Sequence, residues 1–243
     1  CGDAKAVLHQ LLAAAQPAKH GDWVAHVQGF VKEWRADADA QRKSDATPMR
    51  PERVCAELTD LLPADAVLVS DTGHSGIWTG TMIELNHPTQ RFLRCAGSLG
   101  WAFPAALGAK CAAGDRPVVC WTGDGGFYYH IAELETAARY GINAIIVVNN
   151  NSALNQEIPL YDSVYNGQQR GNSSEMWKFT ERNFAQVAES FGCVGLRAET
   201  PAQFREAFTQ ALTMKRPVVI DTITDMRAFA RRAWQPGGTP SGH

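Results

Sequence analysis

Alternating apolar and polar stretches divide most of the chain into short strands and amphipathic helices. Apolar runs predict strands at residues 67–70, 92–95, 117–122, 144–149, 194–197 and 217–222. Apolar residues at helical spacing predict helices at residues 51–62, 76–84, 101–113, 129–140, 182–191 and 201–214. The run at 144–149 is largely β-branched, which is typical of a strand buried on both faces. Because strands and helices alternate, we expect an α/β fold, a doubly wound parallel sheet with helices on both faces.

The first 47 residues have a different pattern from the rest of the chain. Leu8, Leu11 and Leu12 share one face of a short helix, and helical spacing of apolar residues resumes between residues 23 and 34. Residues 36–47 are polar and unpatterned, which predicts a linker. We therefore expect the main domain at residues 48–236, with a disordered tail at 237–243.

Composition and charge exclude several classes of protein. The 243 residues suffice for one large domain, and 23 Lys and Arg against 25 Asp and Glu leave a formal net charge of −2. This balance argues against a nucleic-acid partner. No apolar run reaches the roughly 18 residues of a membrane helix, so no membrane association is expected. The six cysteines stand singly, without a CxxC pair, and no basic leader opens the chain, which together favour a reducing, cytoplasmic location.

Two predicted strands end in residues that suit a metal and a phosphate. The strand at 117–122 leads into Gly123-Asp124-Gly125-Gly126, and the strand at 144–149 leads into Asn150-Asn151. A glycine-rich turn lets backbone amides approach phosphate oxygens, but an aspartate there would repel phosphate unless a cation lay between them. Mg²⁺ binds carboxylate, amide and phosphate oxygens. The residues thus predict a Mg²⁺–diphosphate site, although GDGG alone also suits a simple tight turn and the asparagine run a strand cap.

The spacing of the two segments resembles a known signature. Twenty-four residues lie between Gly125 and Asn150, and thiamine diphosphate (ThDP) enzymes have GDG followed by some two dozen residues and NN. The resemblance covers nearly the whole chain and is to the pyrophosphate-binding domain of the acetolactate synthase and pyruvate decarboxylase superfamily. It implies ThDP and Mg²⁺ as cofactors.

The resemblance assigns metal and diphosphate ligands residue by residue. It places the metal on Asp124, on Asn151 and on the backbone carbonyl of Ala153. Counting from Asp124 selects Asn151 rather than Asn150 as the ligand. The glycines of the turn, Gly123, Gly125 and Gly126, take the cofactor-binding positions, with the diphosphate on the last two.

A second matching segment lies upstream, at residues 96–106. In the family, a large apolar side chain wedges between the two rings of ThDP, and a glycine carbonyl two residues earlier accepts from its 4′-amino group. Leu99 and Gly97 occupy these positions, although Leu99 also suits an ordinary core leucine. Further upstream, Gly73, His74 and Ser75 resemble the turn that meets the far side of the diphosphate, with a solvent-facing loop as the alternative.

Glu157 is the candidate catalytic residue of this chain. It stands six residues after Asn151, the position of an acid–base glutamate in the pyruvate decarboxylase branch. The acetolactate synthase branch usually has an apolar residue there. A solvated helix residue is the alternative interpretation of Glu157.

The resemblance also implies that part of the catalytic site lies elsewhere. The glutamate that activates ThDP belongs in this superfamily to a pyrimidine-binding domain, and nothing in the chain matches that domain. Residues 1–35 resemble only the end of the middle domain that follows it. We therefore expect an incomplete unit that needs a pyrimidine-binding domain or subunit, in a homo-oligomer or hetero-oligomer.

The implied activity is decarboxylation of a small 2-keto acid, or its addition to a second carbonyl compound. Two alternatives stay open. One is a ThDP-dependent lyase that acts on an acyl-CoA or a dione, and the other is a non-catalytic subunit that binds ThDP or a partner chain.

Overall fold

The computed structural model of the protein describes residues 1–168 and 170–230. The chain forms two compact units, one containing residues 1–37 and the other beginning at Ala38. The second unit holds the sheet and every residue predicted for the site. The two units are described separately below.

Six parallel strands form the sheet of the second unit. They are β1 (Val67–Ser70), β2 (Arg91–Arg94), β3 (Val118–Gly123), β4 (Ile145–Asn150), β5 (Val194–Ala198) and β6 (Val218–Ile223). Their order is β2-β1-β3-β4-β6-β5, and every neighbouring pair is parallel. Chain connections therefore run both ways from β1 and β3, which confirms the predicted doubly wound sheet.

Helices cover both faces of this sheet. They are α3 (Pro51–Leu61), α4 (His74–Met82), α5 (Ala102–Ala113), α6 (Asp124–Tyr129), α7 (Glu133–Tyr140), α8 (Glu157–Tyr165), α9 (Phe184–Ser190) and α10 (Pro201–Thr213). Residues of α5, α7 and α9 pack with Val69, Cys120, Ile146 and Val219 in one core. Because side chains alternate along a strand, the other face of the sheet is left for α4 and α10, which also contact α3.

The prediction of a single helix at 129–140 is wrong, because two helices lie in this region. α6 begins directly at Asp124, and a turn at residues 130–132 separates it from α7. Helix α6 thus follows β3 without an intervening loop, and the turn at residues 130–132 redirects the chain so that α7 packs on the core. The end of α7 follows expectation, since Gly141 adopts the left-handed conformation that closes many helices.

Two further segments differ from the expectation. Residues 36–42, predicted as linker, continue the helix α2 (Gly21–Arg42), because Ala38 is buried and Arg42 forms an ion pair with Glu84 at 3.1 Å. α8 was not predicted as an element, because it buries none of its residues and so has no buried apolar face.

The first unit contains α1 (Ala4–Ala14) and most of α2. The Asp3 side chain caps α1 by accepting from the backbone amide of Ala6 at 2.9 Å. α1 buries none of its residues, so its leucines are exposed. The assignment of residues 1–47 to a preceding domain stays a prediction, and the tail at 237–243 lies outside the described residues. Within the described ranges, no helix has the length and apolar character needed to cross a membrane.

Candidate functional site

The carboxyl ends of β3 and β4 bring the predicted metal ligands together. The two strands are neighbours, and Gly123 pairs with Asn149 in their register. Asp124 and Asn151 each follow directly on one of these strand ends, and both are buried. The parallel arrangement of the strands therefore turns two residues 27 positions apart in the sequence into neighbours.

Two side-chain oxygens converge on one backbone amide. The amide of Ala153 donates to Oδ2 of Asp124 at 3.1 Å and to Oδ1 of Asn151, also at 3.1 Å. The other carboxylate oxygen of Asp124 accepts from the amide of Gly125 at 2.7 Å. All three residues that the resemblance assigned to the metal thus lie in one hydrogen-bonded group.

The loop from Asn151 to Leu154 is fixed from its other side by residues 177–179. Ser152 accepts from the amide of Phe179 at 2.7 Å, and Leu154 donates to the carbonyl of Trp177 at 2.8 Å. Ser152 itself has φ +56°, in the left-handed region that L-residues seldom adopt. The loop therefore has a defined shape rather than that of a simple strand cap.

The chemistry of this group suits a hard cation. Asp124 is only 2% exposed, and burial raises its pKa to about 7, although the surrounding backbone amides act in the opposite direction. A buried carboxylate beside a neutral amide oxygen is a combination that Mg²⁺ binds, and the positive charge would favour the ionised carboxylate. The residues present therefore fit the metal that the motif implies.

The glycines of the turn are required by the packing of the chain itself. A Cβ on Gly126 would lie 2.7 Å from Oδ2 of Asp71, and one on Gly125 would lie 2.4 Å from Cδ2 of Leu154. A Cβ on Gly123 would meet only Oγ of Ser75, at 3.6 Å. Larger residues at 125 and 126 would therefore displace their neighbours. Glycine at these positions lets the turn lie close to the loop that contains Leu154 and to the end of β1 at Asp71.

Asp71, at the start of the turn that contains Gly73, His74 and Ser75, organises the loop that carries Leu99. Its Oδ1 accepts from the amides of Thr72 and Gly100 at 2.8 and 3.0 Å, and its Oδ2 accepts from the hydroxyl of Thr122 at 2.8 Å. Thr72 in turn accepts from the amide of Gly97 at 3.0 Å. The end of β1 thus holds both ends of the segment from Gly97 to Gly100. The sequence signal for Asp71 was its position directly after a buried strand.

Leu99 lies in this held segment and outside the core. It is half-buried, and Gly97 and Gly100 on either side have φ +83° and +86°. A side chain at position 97 would meet nothing within 4 Å, whereas one at position 100 would clash with Tyr129 and Gly126. Leu99 is therefore presented on a sharply turned loop beside α6, which does not match an ordinary core leucine.

His74 and Ser75 begin α4 at the other side of the β1 end. Ser75 is buried, and Nδ1 of His74 lies 3.0 Å from Oδ1 of Asn155. The Nδ2 group of Asn155 donates to the carbonyls of Met226 and Ala228, which leaves its Oδ1 to accept from His74. Burial lowers the pKa of His74, so its imidazole is neutral near pH 7 with the proton on Nδ1.

Glu157 lies at the rim of this arrangement. It is exposed, begins α8, and is near enough to His74 for its charge to oppose the lowering of the pKa of that imidazole. It forms no described hydrogen bond to Asp124 or Asn151. The structure thus places Glu157 beside His74 rather than in the metal group. Asn155, two residues before Glu157, connects this segment to His74.

Comparison with known proteins identifies the family of this chain. Residues 71–222 match the model of the thiamine pyrophosphate enzymes, C-terminal TPP binding domain. The acetolactate synthase large subunit of Haemophilus influenzae is 30% identical over 195 residues, which are 79% of this chain and 33% of that protein. The acetolactate synthase isozyme 3 large subunit of Escherichia coli is 30% identical over 236 residues, 92% of this chain and 40% of that one.

A solved structure agrees with these sequence matches. The thiamine diphosphate-dependent 4-hydroxybenzoylformate decarboxylase of Rhodococcus jostii superposes with a TM-score of 0.66 at 27% identity, covering 76% of this chain and 34% of the other. The chain spans 33% to 40% of the length of the two synthase subunits. It belongs to the thiamine pyrophosphate enzymes and contains their C-terminal TPP-binding domain.

Proposed function

We propose that this chain is the ThDP- and Mg²⁺-binding part of an acetolactate-synthase-like enzyme that decarboxylates a small 2-keto acid or joins it to a second carbonyl compound. The observation that carries the proposal is the convergence of Asp124 and Asn151 on the amide of Ala153. The family match and the similarity to acetolactate synthase large subunits support the same function. A cytoplasmic location is part of the proposal.

Asp124, Asn151 and the backbone carbonyl of Ala153 would hold the metal. The single carboxylate would balance one of the two positive charges of Mg²⁺ and leave the other for the diphosphate, which suits a metal that binds through one or two carboxylates plus substrate phosphates. The turn would supply the backbone amide of Gly126 to the phosphate, while the amide of Gly125 donates to Asp124. Ser75 and His74 approach that region from the end of β1.

The Leu99 loop orients the cofactor. When bound, ThDP would supply a nucleophilic carbon and an acceptor for the electrons released by decarboxylation. Leu99 would keep the two rings of the cofactor together, and the carbonyl of Gly97 would accept from the 4′-amino group. Asp71 and Thr72 hold the loop for this purpose.

Proton transfer near the substrate falls to His74 and Glu157. Because Nδ1 of His74 donates to Asn155, its Nε2 presents a lone pair and accepts a proton or a hydrogen bond. Glu157, exposed beside it, connects this position to bulk solvent. The pair thus supplies a proton acceptor and a route to bulk water.

The activating glutamate is assigned to a pyrimidine-binding domain outside this chain segment. The similar synthase subunits are two and a half to three times as long as the part this chain matches, which leaves room for such a domain. In this arrangement the active unit is an oligomer, with each ThDP site completed by a pyrimidine-binding domain or subunit.

The metal assignment is tested by cofactor binding in the assembled enzyme. Asp124→Ala should abolish Mg²⁺-dependent ThDP retention, measured by equilibrium dialysis, and Asn151→Ala should weaken it strongly. Asp65→Asn, at an exposed aspartate, is the matched control and should bind like the unsubstituted protein. Undiminished ThDP retention by Asp124→Ala would disprove the assignment.

A second experiment separates a catalytic from a purely binding role. The 243-residue chain is mixed with a pyrimidine-binding portion of an acetolactate synthase large subunit, and loss of pyruvate is followed. Turnover only after mixing supports a shared catalytic site. Turnover by the chain alone at the same rate would show that the activating carboxylate lies within it, with Glu157 as the first residue to substitute.

A further inference from the structure

A buried carboxylate lies next to the metal loop and has no role in the function proposed above. Asp221 is the fourth residue of β6, in the interior of the sheet between β4 and β5, and is fully buried. A charged group in such a position is costly unless it is paired and hydrogen-bonded. Its partners therefore explain why the residue can be placed there.

Asp221 connects three separate segments of the chain. Its Oδ1 accepts from Nδ2 of Asn150 at 2.8 Å, and its Oδ2 accepts from the amide of Phe184 at 3.1 Å. The guanidinium of Arg197, on β5, donates to the same Oδ2 at 2.8 Å. Both oxygens of the carboxylate are thus used. Oδ1 binds the end of β4, and Oδ2 binds the start of α9 and the side chain from β5.

Asn150 uses all of its polar atoms inside the protein. Besides Asp221, its Nδ2 donates to the carbonyl of Arg182 at 3.0 Å. Its Oδ1 accepts from the amide of Ser152 at 3.3 Å, two residues further along the chain. The side chain of Asn150 therefore faces away from the metal group and closes a small turn around Asn151.

This turn fixes the β4 side of the loop that carries the proposed metal ligands, and residues 177–179 fix its other side. It contains Asn151, and its last residue, Ser152, has the unfavourable φ of +56°. Ala153, which donates to both ligand oxygens, follows immediately. If the amide of Asn150 rotated, the bond to Ser152 would be lost, and with it the restraint that fixes the β4 side of the loop and helps to position Asn151 and Ala153 relative to Asp124.

We infer that Asp221 is a positioning residue for the metal site, which acts through Asn150 and the turn at Ser152. This inference rests on the proposed function, since it assumes that Asp124 and Asn151 bind the metal. Asp221 does not touch the metal or the cofactor. It fixes the orientation of the Asn150 amide, because a carboxylate can only accept, so the Nδ2 group must face Asp221 and the Oδ1 must face Ser152.

The inference is tested by metal affinity in the ThDP-loaded enzyme, with Mn²⁺ as a spectroscopic substitute for Mg²⁺. Free Mn²⁺ is measured by electron paramagnetic resonance for Asp221→Asn, Asn150→Ala, the double variant and Glu199→Gln. Residues that orient metal ligands typically contribute ten- to a hundredfold to metal affinity, so Asp221→Asn should raise the Kd for Mn²⁺ about tenfold. Glu199→Gln removes an exposed carboxylate from the outer side of Arg197 and should leave the Kd unchanged.

The double variant separates positioning from general weakening of the fold. If Asp221 acts through Asn150, the double variant should have the Kd of Asn150→Ala alone, because the side chain that Asp221 orients is already absent from Asn150→Ala. Independent effects would multiply and overturn the inference. Asn150→Ala keeps the test valid if Asp221→Asn folds poorly, since an unchanged Kd in Asn150→Ala would also overturn it.

Asp124→Ala distinguishes the failure of this inference from that of the proposed function. Loss of Mn²⁺ binding in Asp124→Ala together with normal binding in Asp221→Asn would remove only the positioning role. Normal binding in Asp124→Ala would show that the metal site itself lies elsewhere.

Discussion

Two aspartates on either side of β4, Asp124 after the end of β3 and Asp221 on β6, are almost equally hidden from solvent but have different kinds of partner. Asp221 accepts from a guanidinium, a side-chain amide and a backbone amide. Asp124 accepts from the backbone amides of Gly125 and Ala153. The carboxylate of Asp221 is thus paired within the chain, whereas Asp124 has neutral hydrogen-bond donors for partners.

The electrostatics of the two sites show what this difference means. Burial raises the pKa of both carboxyl groups, but the charge of Arg197 opposes the effect at Asp221, whereas backbone amides alone oppose it at Asp124. A buried charge needs a counter-charge. Asp221 has one in the fold, and in the proposed function Asp124 gains one from the bound cation. Burial of a carboxylate alone therefore does not identify a ligand-binding residue, and its partners have to be examined.

The largest effect on stability is expected at Asp221. Asp221→Ala leaves Arg197 and the amides of Asn150 and Phe184 without their acceptor, and breaking a buried pair in this way costs about 3 kcal/mol. Urea unfolding of the protein without ligand measures this loss. Glu199→Gln is the control, because loss of an exposed ion pair should cost less than about 1 kcal/mol. Equal effects of both substitutions would show that Asp221 is no more important to the fold than a surface charge.

Asp124 should show the opposite behaviour. In the absence of ligand, Asp124→Ala removes the acceptor of the Gly125 amide but also removes a buried carboxylate without a counter-charge, so the free energy of unfolding should change by less than about 1 kcal/mol. With ThDP and Mg²⁺ at a hundred times their Kd, the unsubstituted protein gains about 2.7 kcal/mol from binding, and the variant should gain none. Thermal unfolding with and without EDTA measures the difference. A variant that is still stabilised by Mg²⁺ would contradict the comparison.

Asp71 tests whether neutral partners always indicate a ligand site. It too is buried and hydrogen-bonded by neutral donors, but these belong to three different segments of the fold. Asp71→Ala leaves the amide of Gly100 without a partner, which should cost about 2 kcal/mol without ligand. Thr72→Val removes only the exposed bond to the amide of Gly97 and should cost about 0.5 kcal/mol.

The two Asp71-region variants are compared by urea unfolding, with and without ThDP and Mg²⁺. If Asp71→Ala behaved like Asp124→Ala, with normal stability and lost ligand response, Asp71 would be part of the binding group. The expected result places it with Asp221 instead, as a residue of the fold that supports the site.

The sequence predicted the sheet and the metal group because both depend on local signals. Apolar runs identify the six strands, and residues at the carboxyl ends of adjacent parallel strands meet. Asp124 and Asn151 each carry a polar oxygen at such an end, so their convergence could be expected before their hydrogen bonds were known.

The supporting residues could not be predicted in the same way. Asp71 reaches Gly100 and Thr122, which are 29 and 51 residues away, and Asp221 reaches Asn150 across 71 residues. No periodicity connects such pairs, because they depend on the order and register of the strands. The division of the helix at 129–140 was missed for a related reason, since the turn at residues 130–132 is set by packing rather than by a glycine or proline.

Leu99 extends the comparison from carboxylates to apolar residues. It is half-buried on the loop that Asp71 holds, whereas Leu107 is buried within the core on α5. Leu99→Ala should cost less than about 1 kcal/mol, and Leu107→Ala about 3 kcal/mol, because only the latter leaves a cavity in the core.

In the assembled enzyme the order of the two leucines should reverse. Leu99→Ala should slow the exchange of the ThDP C2 proton with deuterated solvent, followed by nuclear magnetic resonance after acid quench, because nothing then presses the rings together. Leu99→Met retains a large apolar side chain and should keep most of the exchange rate, while Leu107→Ala should keep it wherever the protein stays folded. Equal exchange rates with leucine, methionine and alanine at position 99 would mean that this residue, like Asp221, supports the fold without touching the cofactor.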